Sequence, residues 1–193
     1  MTNETQIAAV RTVGGRELPA AGSWQIDPAH TSLEFVARHM MVTKVRGRFT
    51  DVSGTIEVAE DPADTKVAVD IDVDTVTTGA ADRDGHLRSA DFFDVEQFPT
   101  MTYRSTGIDT DGKTWKLHGD LTVHGVTNPI ALDVEYHGVT TDPWGNAKAQ
   151  FSATGELDRE AFGLTWNVAL ESGGVLVSKK VKLEIEVQAA LQA

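Results

Sequence analysis

Period-two alternation of apolar and polar residues constrains this chain more than any other feature. A strand sends successive side chains to opposite faces, so a run with this period sits between an apolar interior and water. The pattern is cleanest where Val67, Val69, Ile71 and Val73 interleave with Asp70, Asp72 and Asp74. It recurs where Trp115, Leu117, Leu121 and Val123 alternate with Lys116, His118, Asp120 and Thr122, and where Ile130, Leu132, Val134 and Tyr136 alternate with Asp133, Glu135 and His137. A fourth run sets Val181, Leu183, Ile185 and Val187 against Lys182, Glu184, Glu186 and Gln188. Strands of a parallel sheet covered on both faces would read as unbroken apolar runs, so these are antiparallel. Weaker strands are read at 31–39, 47–58, 100–106 and 148–157, about eight in all.

Turn signals separate them: Asp109-Thr110-Asp111-Gly112, His124-Gly125-Val126-Thr127-Asn128-Pro129, Asp142-Pro143-Trp144-Gly145-Asn146 and Ser172-Gly173-Gly174. The exception is 77–99, too long for a hairpin, in which a short helix is expected around Ala80 to Ser89. Eight antiparallel strands with one polar face make a sandwich or a closed barrel. Closure removes exposed edges, and an eight-stranded barrel has room for one small ligand.

The remaining composition excludes more than it assigns. A length of 193 residues suits one domain. A net charge of −12 without a long basic block leaves no footprint for nucleic acid. There are no cysteines, hence no disulfides, thiolate metal sites or cysteine nucleophiles. The start is acidic and polar, without the cationic and apolar regions of a secretory signal, and no apolar run is long enough for a membrane helix, so a cytoplasmic protein without membrane insertion is expected. Residues 1–22 read as a flexible N-terminal extension and 23–193 as the domain.

Parity identifies polar residues on apolar faces. His39 follows Leu33, Phe35 and Ala37; Arg159 follows Phe151, Ala153 and Leu157; Lys179 falls with Val175, Val177 and Val181. Each either meets a cavity mouth or reaches water where its strand ends. His39 is expected to be buried and bonded by Asp27 or Asp94. Arg38, Lys44, Arg46 and Arg48 form the densest positive charge, read either as a headgroup-attracting entrance or as a solvated surface run. Asp82, Asp84 and His86 alternate but lack the later glutamate of a calcium loop, so no metal is assigned, and no cofactor. No catalytic motif nominates a nucleophile.

Several spaced motifs resemble the YceI family. They are Trp24-x-Ile26-Asp27-x-x-His30-Thr31-x-x-x-Phe35-x-x-x-His39, Val45-Arg46-Gly47-x-Phe49, Arg83-x-x-His86-Leu87-Arg88-Ser89-x-Asp91-Phe92-Phe93-Asp94, Phe98-Pro99, Leu117-x-Gly119-x-Leu121-Thr122-x-His124-Gly125-Val126-Thr127 and Arg159-x-x-Phe162-Gly163-Leu164-x-Trp166. The resemblance runs from about Ser23 to Val187 and implies an all-β, lipocalin-like eight-stranded antiparallel barrel. It further implies a polyisoprenoid ligand, such as a polyprenyl pyrophosphate or prenylated quinone, and a homodimer.

The expected ligand-binding set is Leu33, Phe35, His39, Val69, Ile71, Val73, Phe92, Met101, Tyr103, Leu121, Val134, Arg159, Phe162, Trp166 and Leu183. A chain lying against such walls gains roughly 0.8 kcal/mol per buried CH2. The leading expectation is a non-enzymatic binder. Its rivals are an enzyme using the barrel as a reaction chamber, with His39 as acid or base, and a protein that sequesters an antibiotic or another apolar small molecule.

Overall fold

A computed structural model of the chain describes residues 9–110, 114–171 and 173–192. The expected turns at 109–112 and 172–174 lie partly outside them. In chain order the strands are β1 (Val10–Val13), β2 (Arg16–Pro19), β3 (Gly22–Ile26), β4 (Ser32–His39), β5 (Thr43–Phe49), β6 (Val52–Val58), β7 (Lys66–Asp72), β8 (Val76–Thr77), β9 (Thr100–Asp109), β10 (Trp115–Val123), β11 (Val126–Thr141), β12 (Ala147–Asp158) and β13 (Lys180–Leu191). Among the described residues the single α-helix, α1, spans Ala81–Arg88 inside the long connection, where a short helix is expected.

These strands make a closed barrel of eight antiparallel staves. Two staves flank β13: β12 pairs with it from Lys148↔Ala190 to Asp158↔Lys180, and β3 and β4 share its other edge. Hence β3 and β4 are one stave with an interruption, as are β5 with β6 and β7 with β8. The interruptions have local causes. Asp27 accepts from the Ala29 amide and Pro28 follows it, which bends the first stave into a 3-10 turn at Pro28–His30. Asp72 accepts from the Asp74 amide and does the same at Val73–Thr75. The sequence reading placed Val73 on a continuous strand; it sits in this turn instead, its side chain buried in the core.

Register carries the inward parity around the ring. Leu33, Ile185, Ala153, Val134 and Trp115 form one layer through successive strand pairs. Val69, Tyr103 and Leu121 form another. Aromatic rings reach the interior across two bare backbones: a Cβ on Gly47 would lie 2.2 Å from Phe35 Cζ, and one on Gly119 would lie 2.4 Å from Tyr103 Cζ.

Of the segment read as a flexible extension over 1–22, residues 1–8 lie outside the described residues, and the remainder begins with paired strands. From Val10 to Pro19 it forms the β1–β2 hairpin, with Leu18 and Ala20 buried and the Ala20 amide donating to Ala9 O at 2.9 Å. Trp24, fully buried, donates its indole N–H to Ala20 O at 3.0 Å. Apolar burial of Leu18 and Ala20 orders a segment whose composition reads as loop.

At the opposite end, α1 is tied to the barrel by polar bonds. Arg88 donates to Asp74 O and Val76 O, while buried Asp84 accepts from the hydroxyl and amide of Thr78 and the hydroxyl of Thr77. Burial raises the Asp84 pKa, but those hydrogen bonds and the charge of Arg88 outweigh it and hold the carboxyl below the usual value. A depressed folded-state pKa stabilises above the unfolded value of about 3.9 and is lost as pH falls below it. Asp84→Asn is therefore expected to cost about 1–3 kcal/mol at pH 7. The gap to wild type should shrink below about pH 4 in urea titrations; a gap unchanged down to pH 2 contradicts this role.

Candidate functional site

The barrel encloses a cavity of about 260 Å³, so its centre is not filled by side chains. A water needs about 10–15 Å³ of such space plus polar partners. This cavity offers space with few partners, because its wall is aliphatic and aromatic apart from Arg11, Thr31, Thr65 and Arg159. Twelve of the fifteen expected residues line it: Leu33, Phe35, Val69, Ile71, Phe92, Met101, Tyr103, Leu121, Val134, Arg159, Phe162 and Leu183. Strand residues reach it by parity alone. Phe92 and Phe162 come from the connections at the α1 end, where Leu87 and Phe93 join them.

Three expected residues are elsewhere. Val73 packs in the core without facing the cavity. Trp166 stands behind the wall, its ring 5.2 Å from Phe92 and 4.7 Å from His86 between centroids. His39 is exposed, contrary to the expectation of a buried, bonded imidazole. Ala37 is the last β4 residue at the cavity. Beyond it β4 runs along 176–178, with His39 bridged to Val177 and Met40 N donating to Leu176 O. The partners proposed for His39 are engaged otherwise. Asp27 holds Lys148 at 2.8 Å and His30 at 3.1 Å, and the Lys148 bond keeps its carboxyl below the usual range. Asp94 accepts from Gln97.

Lys179 is likewise exposed, paired with Glu160 at 2.7 Å. Arg38, Lys44, Arg46 and Arg48 do not line the cavity. They alternate with the lining residues on β4 and β5, and Arg46 is held by Glu184 and Glu34. These four take the solvated alternative. Asp82, Asp84 and His86 do not converge: no group of three or more potential ligands for a metal ion occurs among the described residues.

Arg159 is the exception in an apolar wall. It is 4% exposed and lies beside the cavity on a 3-10 turn, Arg159–Phe162, capped by Asp158. Its Nε donates to Ser178 O at 2.9 Å, Nη1 to Leu164 O and Trp166 O, and Nη2 to Val177 O at 3.4 Å. No carboxylate lies within 4.0 Å among the described residues. Burial pushes its pKa down, opposed by Glu160 and Asp158, yet a guanidinium stays charged, so this end of the cavity carries a desolvated positive charge. Its Cζ also sits 6.0 Å from the Phe92 ring centroid.

At the other end Arg11 joins the lining, and no other charged residue does so among the described residues. Tyr103 contributes a phenol held neutral by burial, donating to Leu117 O at 3.4 Å. Sequence reasoning missed Arg11, Leu18 and Pro19 altogether, although Val13-Gly14-Gly15-Arg16 carries a two-residue hairpin signal. Because one ammonium cannot span the four carbonyls that Arg159 holds, Arg159→Lys is expected to destabilise the fold by about 2–5 kcal/mol in chemical denaturation; an unchanged midpoint contradicts this.

Comparison with known proteins agrees with the geometry. The YceI-like domain matches residues 24–189. The UPF0312 protein SAB2563 of Staphylococcus aureus is 37% identical over 164 residues, covering 84% of this chain and 94% of that protein. Among solved structures, the Campylobacter jejuni YCEI protein superposes with a TM-score of 0.69 at 31% identity, covering 81% of this chain and 90% of that one. BcnA of Burkholderia cenocepacia reaches 0.72 at 19% identity over 84% and 98% of the two chains, a likeness of fold. A polyisoprenoid binding domain from Saccharophagus degradans reaches 0.61 at 16% identity over 90% and 100%, also a likeness of fold. An eight-stranded barrel around an apolar cavity, with this match across its full ring, places the chain in the YceI family.

Proposed function

We propose that this protein binds an elongated apolar ligand, a polyisoprenoid, inside the barrel and carries, stores or sequesters it. The observation that carries the reading is the cavity itself: about 260 Å³ of space inside the barrel, walled mostly by apolar side chains. Each CH2 group placed there gains roughly 0.8 kcal/mol on leaving water, and water gains few partners by staying. The description of the Saccharophagus degradans neighbour as a polyisoprenoid binding domain supports the same ligand class.

Arg159 supports an anionic headgroup such as a pyrophosphate at the α1 end, because a desolvated cation with no carboxylate within 4.0 Å among the described residues attracts negative charge. The wall holds no histidine, carboxylate or lysine among the described residues, which favours binding over turnover.

The assembly is proposed to be a homodimer. Met40, Met41 and Val42 project at the β4–β5 turn with exposures of 51%, 52% and 75%, an apolar tip that self-association would cover. Light scattering should give twice the chain mass for wild type and the monomer mass for Met41→Asp/Val42→Asp. Identical monomer masses contradict the dimer.

Mass spectrometry of an organic extract of purified protein tests the ligand. A prenylated lipid is expected at up to one per chain. Ala153→Phe, which adds a ring to the cavity wall, should lower occupancy at least about tenfold, on the scale of 1.4 kcal/mol per decade. Extracts free of prenylated lipid, or equal occupancy in the two forms, would count against the reading.

A further inference from the structure

The β1–β2 hairpin lies outside the matched domain, which begins at residue 24, yet it forms part of the cavity wall. Arg11 and Leu18 stand directly opposite each other across the hairpin, so they share a face. That face is turned to the cavity, where Pro19 adjoins them.

The hairpin is attached on two sides of the barrel mouth. On one side Arg11 donates to the backbone carbonyls of Ala59 and Glu60 and to the Glu60 carboxylate, in the connection between β6 and β7. On the other, β2 packs against β11, where the charge of Glu17 raises the pKa of Tyr136 behind its burial. The end wall so formed meets Val58, Pro62 and Thr65 of the barrel rim. It is a built element: Gly14 and Gly15, with φ of 57° and 80°, supply the two left-handed residues that a tight hairpin requires. Arg11 also donates to Pro19 O at 3.1 Å across the strands, tying the hairpin to itself.

We infer that this hairpin is the stop that sets the greatest length of apolar chain the barrel accepts, with Leu18 as the residue the chain end meets. The inference rests on the apolar-ligand reading above. Arg159 marks the opposite end of the same cavity, so a ligand whose anionic head is held there extends its tail toward Leu18. A tail longer than that distance must displace the hairpin, breaking the Arg11 bonds and exposing Leu18 and Ala20, which are 6% and 7% exposed.

The test is a length series: farnesyl, geranylgeranyl and longer prenyl monophosphates up to decaprenyl, titrated into the full chain and followed by native mass spectrometry. Wild type should gain affinity with length up to a limit and lose it beyond. Leu18→Trp, which lengthens the stop, should move the limit shorter by at least one isoprene unit. Arg11→Ala/Leu18→Ala, which loosens it, should move the limit longer, and Leu18→Trp decides alone if the double variant does not fold. An identical limit in Leu18→Trp and wild type overturns the stop while leaving the apolar cargo standing. Failure of every prenyl phosphate to bind wild type removes the cargo reading, and the stop falls with it.

Discussion

The pairing of β13 with β12 is the constraint on which the rest of the structure depends. Its register runs unbroken from Lys148↔Ala190 to Asp158↔Lys180 and joins the last stave to the ring. Without it the sheet has two edges and a groove; with it the inward residues of all eight staves face one another across an enclosed space. Closure also aligns the layers, since Leu33, Ile185 and Ala153 meet only because β13 pairs on both sides.

A closed apolar tube must be finished at both ends, and the two ends are finished differently. At one, α1 and the 159–178 segment bring Phe92, Phe162 and the desolvated Arg159 to the cavity. At the other, a short hairpin is held across the mouth by Arg11, whose charge is answered by Glu60 at 2.9 Å. The asymmetry matters for the proposed function: a buried cation held by carbonyls, with no carboxylate within 4.0 Å among the described residues, at one end and an ion-paired one at the other give the cavity a direction. Burying Arg159 is tolerated because backbone carbonyls accept from each of its nitrogens.

The wall of the barrel was legible in the sequence because parity is local. Val69, Ile71, Leu121, Val134 and Leu183 are inward for the same reason that Asp70, Asp120 and Glu184 are outward. What parity cannot show is where a stave stops bordering the cavity. His39 has the parity of Phe35, yet Ala37 is the last β4 residue at the cavity, and beyond it β4 pairs with 176–178, where the exposed His39 is bridged to Val177. Val73 fails for a local reason that was readable: Asp72 is a cap residue, and its side chain bends the strand. The N-terminal hairpin was readable in part, since Gly14-Gly15 is a hairpin turn, whereas its docking depends on Glu60 and β11, far away in sequence. Trp166 stands in a family motif and acts through its carbonyl and ring on Arg159 and Phe92, a role that no spacing reveals.

The central claim is that an apolar chain leaves water for the interior of a closed barrel. The heat-capacity change of binding, from calorimetric titration of a prenyl monophosphate at several temperatures, tests it most directly, because burial of apolar surface gives a negative value. The account predicts a clearly negative change for wild type that is strongly reduced in Ala153→Phe, whose added ring occupies the cavity. A change near zero for wild type, or one of equal size in both proteins, would place the ligand on the surface and contradict the account.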